Sequence, residues 1–265
     1  MFFFVGGLLV SNFDDKINLA IDDLKKYEPP EGYYVCFSGG KDTVVMYDLV
    51  KRAGVKYNAV HNFIAIEPPP LIDFIKCEYP EVVIDYPAQN MAELIIKNGI
   101  PPLRHIRYCH RELKKGGEER IKVLGIRAQE SPKRAKRPKF GENKFGGYDL
   151  NLIIDWTEQD IWKYIFKFDI KYCSLYDEGR KRIGCLFCPF GNAKQMEMDI
   201  KDFPEIAQYL IDACQSAIER RVARGKPIGK YKTGEEMFFN WISGGRKTNQ
   251  ETIIAHLKSI FSEHK

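Results

Sequence analysis

The chain has 265 residues, 44% of them hydrophobic and 29% charged, with a formal net charge of +5. That composition excludes a disordered or fibrous chain and supplies a sizeable core, enough for one α/β domain or a domain with a small appendage. Seven cysteines without a secretory leader argue against a disulfide scaffold, and the apolar opening Met1 to Val10 is too short for a bilayer span, so a cytoplasmic protein with reduced thiols and no membrane partner is expected.

A first helix is expected from Phe13 to Tyr27, capped by Asn12 and ended by Pro29-Pro30. Tyr33 to Phe37 is a short aromatic and β-branched run that stops at Ser38-Gly39-Gly40, which predicts a buried strand; Val44 to Val50 continues as an apolar-rich helix. A second strand is read over Tyr57 to Ile66, a break at Pro68-Pro69-Pro70 and a helix over Leu71 to Glu78. A short strand over Glu81 to Tyr86 and a helix over Met91 to Asn98, closed by Gly99, complete the alternation. Strands and helices at this spacing imply a doubly wound, mostly parallel sheet, in which ligands sit beyond the carboxyl ends of the strands.

From Arg104 to Lys144 there are 14 Lys and Arg against 5 Asp and Glu, so this stretch carries +9 and the remainder −4. Such a block suits a polyanion: nucleotide, sulfate or nucleic acid. Ile121 to Ile126 reads as a strand delivering Arg127 at its end, and the tract Lys133 to Gly147 as a mobile basic loop. Thr157 and Asp160 mark the start of the next helix; Tyr172 to Asn192 is aperiodic and holds Cys173, Cys185 and Cys188. A long amphipathic helix from Asp202 to about Ala223 carries Cys214 on its apolar stripe, and helices over Glu235 to Ile242 and Glu251 to Phe261 follow. The organisation expected is a nucleotide-binding domain over 1–200, cysteine segment included, with a helical extension over 201–265 packed on it.

A glycine turn between a strand and a helix N-terminus aims backbone N–H groups and the helix dipole at one point, which suits a phosphate. Ser38, Thr43 and the Gly39 and Gly40 amides form the expected cradle; Lys41 adds charge, and Asp42 positions Mg²⁺ or orients the loop. Ser38-Gly39-Gly40-Lys41-Asp42-Thr43 lacks the spacing of the longer P-loop of phosphoryl-transfer ATPases. The second Ser-Gly-Gly, Ser243 to Gly245, follows no strand and reads as a helix end. Cys185-Leu186-Phe187-Cys188 is a C-x-x-C knuckle able to give two thiolates to one metal centre.

The loop is similar to the S-G-G-x-D-[S/T] signature of the PP-loop ATP pyrophosphatases. Together with Arg107-x-Cys109-x-x-Glu112-Leu113-Lys114, Gly125-Ile126-Arg127-x-x-Glu130-Ser131 with Arg134, and Leu175-Tyr176-Asp177-x-Gly179 running to Cys188, it resembles the phosphoadenylyl-sulfate (PAPS) reductase family. The likeness covers about residues 30–200. It implies a five- or six-stranded adenine-nucleotide α-hydrolase-like, Rossmann-like sheet binding adenylyl groups, with ATP or adenylyl sulfate as the nucleotide and Arg127 and Arg134 clamping phosphate or sulfate. It also implies metal ligation by Cys109, Cys185 and Cys188, with the fourth position open, His110 or Cys173. An iron–sulfur cluster of the 4Fe–4S type is favoured over zinc. Sulfonucleotide reductases of the family carry a catalytic cysteine in a Glu-Cys-Gly-like tail, and no cysteine follows Cys214 in this sequence.

Three expectations follow. The first is ATP-dependent adenylylation of an acceptor coupled to sulfur transfer through the Cys109/Cys185/Cys188 centre, with Lys41, Asp42 and Arg127 as the catalytic residues. A nucleic-acid acceptor and a sulfur-donor protein are the partners it implies, and a homodimer is compatible with it. The second is PAPS or adenylyl-sulfate reduction. The third is a non-catalytic nucleotide-binding module with a structural zinc.

Overall fold

The computed structural model describes residues 12–113, 116–117, 119–143, 146–227, 229–243 and 250–264. Lys114 and the glycines of the second Ser-Gly-Gly therefore lie outside the described residues. The elements begin with α1 (Phe13–Lys26), β1 (Tyr33–Cys36), α2 (Lys41–Ala53), β2 (Tyr57–Asn62), α3 (Pro69–Glu78) and β3 (Val83–Asp85). They continue with α4 (Met91–Asn98), α5 (Tyr108–Leu113), β4 (Lys122–Val123), α6 (Pro132–Ala135), β5 (Phe140–Glu142) and β6 (Tyr148–Leu150). The helices α7 (Glu158–Lys167), α8 (Ala193–Asp202), α9 (Pro204–Ala223), α10 (Gly234–Ile242) and α11 (Gln250–His264) complete the described chain, with single 3₁₀ turns at Ala128–Glu130 and Ser174–Tyr176.

The six strands lie in the order β3-β2-β1-β4-β6-β5. β1 pairs in parallel with β2 (Tyr33 opposite Tyr57) and with β4 (Tyr34 opposite Lys122), β4 pairs in parallel with β6, and β5 runs antiparallel on the edge. The order reverses between β2 and β4 around β1, so the strand that feeds the Ser38–Thr43 loop stands at the switch point of a mostly parallel α/β sheet, where such sheets open a crevice. No helix of the described residues is long and apolar enough to cross a membrane.

The chain divides into two compact units. One draws on Met1–His61, Asp73–Ile84 and Gly116–Tyr176; the other draws on Asn62–Ile72, Asp85–Lys115 and Asp177–Lys265. Residues 201–265 thus share a unit with segments from much earlier in the chain. The first unit's core is apolar and fully buried: Tyr33, Val35, Val44, Leu49, Val123, Leu150 and Ile161. Burial on this scale removes roughly 25 cal/mol of apolar cost per Å² from water. The second has its own core around Leu94, Ile95, Phe187, Ile200, Leu210, Phe238 and Phe239.

Three local readings are corrected. The strand expected to reach Ile66 ends at Asn62, because the buried Glu67 carboxylate accepts the N–H groups of Ile64 (2.9 Å) and Ile66 (3.2 Å) and curls the chain into a loop with Ala65 at φ +64°. The basic tract after Lys133 is ordered into α6 and the edge strand β5, since Ser131 caps the Pro132 turn and Phe140 pairs with Leu150; Lys144 and Phe145 lie outside the described residues. An additional helix, α8, precedes α9, its start capped by the Asn192 side chain. Other signals hold as read: Asn90 and Gly99 bracket α4, and Thr157 with Asp160 forms the capping box of α7.

Candidate nucleotide site and cysteine knuckle

The first unit carries the phosphate loop. β1 ends at Cys36, Gly39 takes φ +71°, a region that side chains disfavour, and Gly40 stands as the N-cap of α2. The two loop hydroxyls meet, Ser38 Oγ and Thr43 Oγ1 being 3.1 Å apart, and Thr43 Oγ1 donates to Gly40 O at 2.9 Å. Ser38 N–H donates to Thr43 Oγ1 at 3.3 Å and Gly40 N–H to Ser38 Oγ at 3.4 Å. The loop is thus closed on itself by the residues read as its ligands, with the positive end of a 13-residue helix behind it.

Its charges are arranged by contacts far apart in sequence. Lys41 is 4% exposed; its ammonium lies 3.3 Å from Glu158 Oε1, 3.9 Å from Asp42 Oδ2 and 5.2 Å from the centre of the Tyr176 ring. The Tyr176 hydroxyl accepts the Lys41 N–H at 2.9 Å. Arg127, 5% exposed, follows β4 and donates from Nε to Asp42 Oδ1, while its Nη1 donates to Gln129 Oε1 at 2.9 Å. Gln129 Oε1 also accepts the Glu158 N–H at 2.8 Å. Gly125 lets β4 approach: a Cβ there would stand 3.0 Å from Thr43 Cγ2 and 3.2 Å from Asp42 O.

Ser38, Gly39, Gly40, Lys41, Asp42, Thr43 and Arg127 are therefore brought together in one unit. Asp42 sits between two cations, which makes it an anchor for Arg127. Arg134 lies in α6 and pairs with Glu130, whose carboxylate also accepts the Arg127 N–H at 2.9 Å. Tyr176, Glu158 and Gln129 were missed as site residues. Tyr176 lay inside a motif and Glu158 beside a helix cap, so the signal was position, without a sign of which side chain they meet.

The second unit carries the knuckle. Cys109 is on α5; Cys185 and Cys188 flank a turn in which Leu186 and Phe187 are buried and Phe187 takes φ +55°. A non-glycine residue in that region costs about 1–2 kcal/mol and must be held. The holder is Asp199, 1% exposed, whose Oδ2 accepts the Phe187 N–H at 3.0 Å. Its Oδ1 accepts from Arg180 Nη1 at 2.5 Å and Gln195 Nε2 at 2.9 Å, and Arg180 Nη2 reaches Asp202 at 2.6 Å. Leu186 N–H donates to Ile66 O at 2.8 Å, and Arg104 Nε to Pro189 O at 2.7 Å.

Cys109, Cys185 and Cys188 are half-buried, and Cys173, fully buried, belongs to the first unit. Among the described residues no three His, Cys, Asp or Glu side chains stand close enough to hold one metal ion. The arranged side chains thus close no single-ion site among the described residues, and Cys109, Cys185 and Cys188 are the thiols that would hold a cluster. Burial pushes the Cys214 thiol up to about 12, which makes it a core residue and a poor nucleophile.

A helix N-terminus opened by a glycine-rich turn at the switch point of a mostly parallel sheet, with a buried lysine and arginine fixed around it, defines an α/β protein whose loop has the geometry expected of an anion site. The phosphoadenosine phosphosulfate reductase domain matches residues 32–190, and the chain belongs to that family. An uncharacterised protein of Methanocaldococcus jannaschii is 29% identical over 191 residues, 66% of this chain and 46% of that protein. An adenosine 5'-phosphosulfate reductase of Lysinibacillus sphaericus is 27% identical over 173 residues, 58% of this chain and 72% of that enzyme. The chain spans less than half the length of the first curated relatives it matches. The crystal structure of PAPS reductase from Candida auris, a phosphate complex, aligns with 68% of this chain and 98% of that one at 17% identity and a TM-score of 0.47.

Proposed function

We propose that this chain binds an adenine nucleotide on the Ser38–Thr43 loop and catalyses ATP-dependent adenylylation of an acceptor, as the activating half of a sulfur transfer. The observation that carries it is the loop itself: two glycines and two hydroxyls at the start of α2, flanked by a buried Lys41 and an Arg127 fixed on Asp42.

In this reading an acceptor oxygen attacks the α-phosphorus of ATP, the bond from that phosphorus to the bridging oxygen breaks, and pyrophosphate leaves with the electron pair. Charge builds on the departing diphosphate where the loop, the helix end and Lys41 stand, the pre-set electrostatic stabilisation that dominates such transfers. Arg127, held by Asp42 and Gln129, orients the phosphate chain through a planar, two-pronged guanidinium. Sulfide from a donor then attacks the activated carbon, the carbon–oxygen bond to the adenylyl group breaks, and AMP departs with that electron pair. Mg²⁺ would neutralise the triphosphate when bound. The Cys109, Cys185 and Cys188 thiols are proposed as the sulfur-handling group, the residues that would hold an iron–sulfur cluster when one is bound.

The second reading, reduction of adenylyl sulfate or PAPS, is favoured by the reductases among the relatives. The buried Cys214 thiol, pushed up to about 12, does not serve it as a nucleophile. Protein purified without oxygen decides between them. ATP-dependent release of pyrophosphate, or isotope exchange of pyrophosphate into ATP, is expected. Release of sulfite from adenylyl sulfate without ATP turnover would replace the proposal by reduction. Iron, sulfide and zinc contents of the same sample test the metal separately.

A further inference from the structure

One feature of the first unit lies outside the nucleotide loop. Tyr27, Phe140 and Tyr148 form a ladder of three near-parallel rings. The first two centroids are 4.2 Å apart at an interplanar angle of 6°, and the next two are 5.4 Å apart, also at 6°. Phe140 lies opposite Leu150 and Glu142 opposite Tyr148, so Phe140 and Tyr148 are diagonal neighbours on one face of the β5–β6 hairpin. Tyr148 ends the ladder and is 46% exposed, although an aromatic ring on a sheet is usually covered.

Most aromatic pairs among the described residues meet edge-on or tilted, as at Phe37 and Tyr47; a parallel, offset-stacked column ending in solvent is the arrangement on which a further flat ring stacks. The column is flanked by charge. Lys133, Arg134, Lys136, Arg137 and Lys139 lie within seven residues that contain no carboxylate and lead directly into Phe140. Lys133, Lys136 and Arg137 are exposed, and Lys133 and Lys136 make no ion pair with any described residue. Lys26 adds an ammonium 4.9 Å from the Tyr27 ring centre, and β5 lies at the open edge of the sheet.

We propose that this basic edge and the exposed Tyr148 ring bind single-stranded nucleic acid, with phosphates on Lys133, Lys136 and Arg137 and an unpaired base stacked on Tyr148. Flat rings beside a cationic track are how proteins hold single strands with little sequence preference. Duplex nucleic acid offers the same phosphates and no free base face, so single strands are the class that uses both features. The inference rests on the reading of an adenylylated acceptor and gives that acceptor a class. The tract begins at Lys133, three residues past Glu130, so one segment joins Arg127 and its partners to the edge.

The test is fluorescence anisotropy of labelled 12-mer RNA and DNA, single-stranded and duplex, on the full chain without ATP. Single strands are expected to bind in a salt-dependent way, with the RNA and DNA arms identifying the natural polymer. Tyr148→Ala should weaken single-strand binding roughly 10-fold, and Tyr148→Phe should keep it. Lys136→Ala and Arg137→Ala should each lower the salt slope by about 1. If the cations serve only to guard the sheet edge, duplex and single strands will bind alike and Tyr148→Ala will change nothing, which overturns the proposal. Failure of pyrophosphate exchange with oligonucleotide binding intact would remove the adenylylation reading instead.

Discussion

Asp199→Ala tests how the C-x-x-C knuckle is held. Asp199 and Arg180 both have side chains 1% exposed and lie 2.5 Å apart, and the carboxylate also carries the Phe187 N–H between the two cysteines. Deleting one partner of such a pair strands a buried charge, which costs about 3–5 kcal/mol. The stranded Phe187 N–H is part of the same loss and is not added to it, because the groups share one network. Asp202, 32% exposed, remains as a carboxylate for Arg180 and places the expected cost at the lower end, about 3 kcal/mol. With a urea slope of about 2 kcal/mol per M, the unfolding midpoint of the unit falls by about 1.5 M. Urea titration followed by tryptophan fluorescence measures it. Arg180→Met with Asp199→Leu should recover part of the loss, because an apolar pair avoids the desolvation cost while the Phe187 N–H still lacks its acceptor. The alkylation rates of Cys185 and Cys188 should rise in Asp199→Ala as Phe187 leaves its left-handed conformation. A midpoint within about 0.5 M of wild type, or a double variant as unstable as the single, would refute the reasoning.

Arg127→Ala should weaken nucleotide binding roughly 10- to 100-fold by calorimetry, and Arg127→Lys should not restore it, since an ammonium cannot span Asp42 and Gln129 together. Gly125→Ala places a methyl 3.0 Å from Thr43 and should cost about 1 kcal/mol of stability while impairing nucleotide affinity by more; equal effects on both would point to a global rather than a loop defect. Cys214 should resist iodoacetamide at pH 8 in the native protein and react once denatured, as read by peptide mass mapping; modification of the native protein would contradict a thiol held near 12. Burial alone would raise the Asp160 carboxyl, but Lys16 and the N–H and hydroxyl of Thr157 hold it below the usual aspartate range. A depressed folded value contributes stability above the unfolded value and loses it as pH falls through the folded one. Wild type should therefore exceed Asp160→Asn by about 1 kcal/mol at neutral pH, and the gap should close below pH about 4. A gap independent of pH would remove Lys16 as the cause.

The sequence by itself determined what local chemistry dictates. Glycines at 39 and 40 between an apolar strand and a helix, the capping boxes at Asn90 and Thr157, and the alternation of strand and helix specify the phosphate loop and a mostly parallel sheet, because each signal acts within a few residues. Helix stop signals such as Gly99 were legible for the same reason. Only the tertiary structure decided which side chains converge. Glu158 and Tyr176 surround Lys41 from more than 100 residues away, Asp199 holds the Cys185–Cys188 turn from the next helix, and Tyr27 reaches Phe140 across the first unit. The basic tract illustrates the boundary between the two: its charge and prolines read as a loop, and pairing of Phe140 with Leu150 turned part of it into an edge strand. Propensity is a local average, whereas a strand forms when a partner offers its N–H and C=O groups, and that partner is known only once the chain has folded.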